Sequence, residues 1–124
     1  MWRWLTWGTY VIAWTVALEV PVPIPPAPAH MAAEVTLRGL FSKFVHVGAY
    51  TVLTLLSAWL PVSARYRWLI VFFLAAHATG TEILQTALQE YCGRGGSLYD
   101  VGLDLVGMAF GFVITWRWWA RPDM

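Results

Sequence analysis

Apolar residues in this chain gather into four long runs, 2–20, 40–60, 68–88 and 98–119. Each approaches or exceeds the roughly 20 residues that a helix needs to cross the hydrocarbon core of a bilayer. The connections between them are short and leave no room for a separate soluble domain. The pattern predicts an all-α fold, a four-helix transmembrane bundle that forms a single domain over 1–124. One connection differs in composition: 21–28 holds five of the seven prolines and is expected to run as an extended outer strut. A short interfacial helix over 30–38 is expected behind it. Arg3 followed by an apolar run also has the form of a signal peptide. Trp2, Trp4, Trp7 and Trp14 make that run bulky, however, and the prolines crowd the small-residue site after it, so a retained membrane helix is expected.

Composition agrees with the bilayer. The chain is 59% hydrophobic and 12% charged, whereas a soluble domain is about half apolar and about a quarter charged. The net charge of +1 gives no basic surface for nucleic acid. Cys92, the single cysteine, can form neither an internal disulfide nor a cysteine metal cluster. Lys and Arg set the orientation. With the N-terminus inside, Arg3, Arg65, Arg67, Arg117 and Arg121 are cytoplasmic, while Arg38, Lys43 and Arg94 lie outside. Trp2, Trp4, Trp59, Trp68, Trp116, Trp118 and Trp119 then share one cytoplasmic interfacial belt. Both termini are expected to be cytoplasmic, in a multi-pass protein of the bacterial cell membrane.

Against this background the ionisable residues inside the apolar runs stand out. A charge within a membrane span costs several kcal/mol unless it meets a partner or water, so by default it marks a functional site. Counting 1.5 Å per residue from the outer ends places His46, Glu82 and Asp104 each about 9 Å deep. Lys43 and Gln85 come at about 5 Å and Asp100 at about 3 Å. Helical spacing gathers these residues onto faces: Lys43, His46 and Tyr50 on the second run, Glu82, Gln85 and Gln89 on the third. On the fourth, Asp100 and Asp104 continue into Gly107 and Gly111, so the face is polar above and fit for close helix approach below. Ser97 can cap that helix, with Asp100 at the matching capping-box position. His77 lies deeper, off the Glu82 face, and reads as a packing or helix–helix bonding residue. Nothing in the spacing is diagnostic of a metal site and none is expected.

The order Lys43-x-x-His46-x-x-x-Tyr50, then Gly80, Glu82-x-x-Gln85, Arg94, Ser97, Asp100, Gly107 and Gly111 resembles the VanZ-like family of small bacterial membrane proteins, over roughly 40–111. One position departs: the family usually carries Asn where this chain has Asp104. The resemblance implies a link to teicoplanin-type glycopeptide resistance, within a broad family whose molecular activity is poorly defined.

The residues themselves suggest three functions. In the first, Lys43 and Arg94 help bind an anionic or amphipathic ligand, such as a membrane lipid, a lipid-linked envelope precursor or a lipophilic glycopeptide. Tyr50, Gln85, Ser97 and Asp104 would join them as ligand-binding residues. In the second, a small membrane enzyme transfers or hydrolyses a phosphate or acyl group on a lipid-linked substrate. His46 is then base or nucleophile, and Glu82 or Asp100 orients it. In the third, the polar layer is an ion-pair network that glues helices. No cofactor is indicated.

Overall fold

The computed structural model describes residues 1–19, 32–92 and 96–122. The proline-rich strut and Arg94 lie outside the described residues. Those described form helices α1 (Trp2–Glu19), α2 (Ala32–Ala58), α3 (Ala64–Ala87), α4 (Gln89–Cys92), α5 (Leu98–Ile114) and α6 (Trp116–Trp119), with no strand among them. Two stretches are long and apolar enough to cross a membrane, Gly39–Ala58 within α2 and Ala64–Ala87. Helix α2 is continuous from Ala32, so described residues of the expected interfacial helix are its first turns. Pro61 explains its end, because the residue before a proline is driven out of helical backbone. Ser63 then begins α3, four residues earlier than the apolar run alone implies, because the run omits the polar first turn Ala64-Arg65-Tyr66-Arg67.

Helix α5 ends at Thr115, where the hydroxyl donates to the Gly111 carbonyl at 2.6 Å and accepts from the Trp119 indole N–H at 2.8 Å. The Thr115 carbonyl also accepts from the Trp118 and Trp119 N–H groups, and the chain continues directly as α6.

Side chains along α1 hold it to its neighbours. Trp7 Nε1 donates to Ser57 Oγ at 2.8 Å and the Tyr10 hydroxyl to the Ala49 carbonyl at 3.1 Å. At the far end Gln85 Nε2 donates to the Leu18 carbonyl at 3.1 Å. The opposite end of the molecule gathers arginines and tryptophans. Arg3 donates to the Trp59 carbonyl at 3.2 Å, and the Trp2 and Trp59 rings meet edge-on at 4.5 Å. One Arg67 nitrogen reaches the carbonyls of Trp118 at 2.6 Å and Arg121 at 2.8 Å. Phe112 stacks on Trp119 at 4.8 Å.

The tightest helix contact is between α2 and α5. A Cβ on Gly107 would collide with the Val47 carbonyl, and one on Gly111 would come within 2.6 Å of Thr54 Cβ and 2.8 Å of the Thr51 carbonyl. Thr51 Oγ1 also donates across the interface to the Gly107 carbonyl at 3.0 Å. Gly102, on the same helix, has open space where a Cβ would go. Gly107→Ala should therefore destabilise the protein by about 1–3 kcal/mol through overpacking. Gly102→Ala should be neutral or stabilising by up to about 1 kcal/mol. Chemical unfolding of both variants in one detergent checks the contrast.

Candidate functional site

Helices α2, α3 and α5 each deliver one ionisable side chain to the same buried spot. His46, Glu82 and Asp104 are 5%, 4% and 0% exposed. His46 Nδ1 lies 2.8 Å from Asp104 Oδ1. With the carboxylate as acceptor, the imidazole carries its proton on Nδ1 and keeps the Nε2 lone pair. The Trp14 ring from α1 meets His46 edge-on at 5.9 Å. Glu82 is fixed differently: its Oε2 accepts the Ser97 backbone N–H at 2.8 Å.

That last bond revises the capping expectation for α5. Ser97 is the N-cap and its hydroxyl accepts from the Tyr99 N–H at 3.1 Å. In a capping box, Asp100 would take the Ser97 N–H. Here Glu82, from a different helix, takes it instead. The chain can come this close because position 96 is glycine; a Cβ there would collide with the Glu82 carbonyl and Thr86 Oγ1.

Each carboxylate keeps one oxygen unused. Glu82 Oε1 and Asp104 Oδ2 are both buried with no hydrogen-bond partner. Among the described residues no lysine or arginine bonds to either carboxylate. One ligand-type atom from each of His46, Glu82 and Asp104 can be chosen so that all three lie within 4.8 Å of one another. The donor set is one imidazole nitrogen and two carboxylate oxygens, which suits a cation rather than an anion.

The other sequence-selected residues take separate places. Lys43 is exposed, with its ammonium 4.8 Å from the centre of the Tyr99 ring, outside the buried spot. Asp100 is half-buried at the start of α5, within electrostatic range of His46, Glu82 and Asp104 but hydrogen-bonded to none of them. Gln85 is spent on the Leu18 carbonyl. Tyr50, fully buried, donates its O–H to His77 Nδ1 at 2.9 Å. His77 Nε2–H donates in turn to Thr15 Oγ1 at 2.8 Å, and Thr15 donates to the Val11 carbonyl at 2.8 Å. His77 is thus a helix–helix bonding residue, as its position off the Glu82 face implies. Thr15 and Trp14 complete these contacts from α1, and nothing beyond the apolar character of the first run points to either as a site residue.

No family model, curated protein or solved structure matches this chain. The centre must be judged on its geometry.

Two substitutions separate capping from the centre. Ser97→Ala removes only the hydroxyl that caps α5 and should lower stability by about 1 kcal/mol. Glu82→Ala leaves the Ser97 N–H unpaired as well as emptying part of the centre, and should cost more. Equilibrium unfolding of the two variants in detergent checks the order.

Proposed function

We propose that this chain is a VanZ-like, multi-pass protein of the bacterial cell membrane and that it is a small membrane enzyme acting on a phosphate or acyl group of a lipid-linked, outer-leaflet substrate. Four features support immersion in lipid. Phe41, Phe44, Phe72, Ile83, Phe110 and Val113 project outward from α2, α3 and α5. The interior, by contrast, buries Thr54, Ser57, Thr81 and Gln85 beside the ionisable centre. Helices α1 and α5, at 18 and 17 residues, reach about 27 and 26 Å, close to the roughly 30 Å of a hydrocarbon core. The arginine–tryptophan end suits a cytoplasmic interface, which supports an arrangement with both termini inside and the His46 centre toward the outer side.

The observation that carries the enzymatic reading is the buried His46–Asp104 pair beside Glu82, with an oxygen of each carboxylate left unpaired. A network serving only as glue would satisfy those oxygens, because an unpaired buried acceptor costs about 1–3 kcal/mol. Asp104 orients the imidazole and stabilises the imidazolium form, so His46 can accept a proton from an attacking water or hydroxyl, or attack directly. Glu82 stands ready to bind or polarise the nucleophile. Lys43, exposed over Tyr99, is placed to meet a substrate's anionic group outside the centre.

Purified protein should release label from a radiolabelled polyprenyl phosphate or phospholipid. His46→Ala should slow release by about 100-fold or more, the usual scale of acid–base catalysis. Saturable binding without release would replace the enzymatic reading with a ligand-binding one. Neither binding nor release would leave the polar layer with a structural role.

A further inference from the structure

We infer that His46, Glu82 and Asp104 form a binding site for one divalent transition-metal ion, of the Zn²⁺ or Mn²⁺ type. The inference does not depend on lipid turnover; it rests on what the three side chains lack. Glu82 Oε1 and Asp104 Oδ2 are fully enclosed acceptors without donors, and both belong to residues of the same three-membered set. A buried acceptor is normally paired, and orphan oxygens on two residues of one buried ligand-type cluster are what a bound cation would satisfy.

Charge leads to the same answer. Two carboxylates and a neutral imidazole carry −2 together, and a divalent cation brings the site to neutrality. That balance matters far more in a lipid-enclosed interior than in water, because an uncompensated buried charge is expensive there. A monovalent cation would leave one negative charge unbalanced.

Geometry is compatible with a single ion. Metal–nitrogen and metal–oxygen bonds of about 2.0–2.2 Å put ligand atoms on opposite sides of an ion about 4.2 Å apart. One ligand-type atom of each residue already lies within 4.8 Å of the others. An ion held by both His46 and Asp104 would displace the proton between His46 Nδ1 and Asp104 Oδ1, leaving His46 protonated on Nε2. Small side-chain rotations would complete the bonding distances. A mixed nitrogen and oxygen set selects imidazole-tolerant transition metals over Ca²⁺ or Mg²⁺, which prefer oxygen cages. Three protein ligands also leave a coordination position open, the arrangement of catalytic rather than structural sites. The Ser97 N–H on Glu82 Oε2 would hold that ligand's orientation from outside the coordination sphere.

Full-length protein in detergent, stripped with a chelator and reloaded separately with Zn²⁺, Mn²⁺ and Co²⁺, provides the test. After removal of free metal, elemental analysis should find about one equivalent per chain with at least one of these ions. Co²⁺ loading should give visible absorption bands. His46→Ala, Asp104→Asn and Glu82→Gln should each weaken binding at least about tenfold, while His77→Phe, outside the set, should keep full stoichiometry. Glu82→Gln is the decisive variant if the others fail to fold. It removes a charge but preserves an oxygen for the Ser97 N–H, and its folding is checked by thermal unfolding without metal. Less than half an equivalent of every ion in the wild type overturns the site, as does undiminished binding in a folded Glu82→Gln. Running the lipid-release assay on stripped and reloaded protein keeps the two proposals apart. Metal bound without release leaves this site standing and removes the enzymatic reading. Release by a protein that binds no metal does the reverse.

Discussion

Between α2 and α5 the two backbones touch, because Gly107 and Gly111 present no side chain to Val47, Thr51 and Thr54. In lipid there is little hydrophobic force to press helices together, so association depends on such close packing and on the hydrogen bonds it permits. Thr51 uses the proximity to donate to the Gly107 carbonyl. One turn before Gly107 on α5, Asp104 reaches His46 on α2. A Cβ at either glycine would force a shift at the contact that brings Asp104 to His46. The polar contact that defines the site is thus a consequence of an apolar one.

The interior as a whole is more polar than the exterior, which inverts the arrangement of a water-soluble domain. Most of its hydroxyls are satisfied locally: Thr54 and Ser57 each donate to the carbonyl four residues back on α2, while Thr51 shares its one proton between the carbonyls of Val47 and Gly107. This back-bonding makes small polar residues tolerable inside a helix bundle and keeps them from competing for distant partners. Glu82 and Asp104 have no such local outlet, since carboxylates accept and do not donate. The Trp14 indole N–H beside His46 is itself buried without a partner, so it does not supply them.

Much of this was legible in the chain. Apolar runs marked the long helices, and Gly-x-x-x-Gly marked the close face. Counting depth singled out His46, Glu82 and Asp104 as one layer. Pairing was harder to read. Periodicity places a side chain on a face but not against a given partner, so the carboxylate that holds His46 was sought in Glu82 or Asp100 and is Asp104. The Ser97 cap was visible locally, whereas the arrival of Glu82 in place of Asp100 depends on how α3 lies against the start of α5. Lys43 sits on the predicted face one turn toward the helix start, where a long flexible side chain turns outward to Tyr99 instead of inward.

Tyr50, His77 and Thr15 resemble a proton wire at first sight, since three titratable or hydroxylic groups link three helices. Their donors all point one way, however, and the last of them ends on the carbonyl of Val11. A backbone carbonyl accepts a hydrogen bond but cannot take up the proton and pass it on. Reversing the line would require Tyr50, His77 and Thr15 to turn over together inside a packed interior. The series is therefore a cul-de-sac: it locks the tautomer of His77 and clasps α1 to the bundle. A proton leaving the neighbouring centre therefore cannot travel along this line.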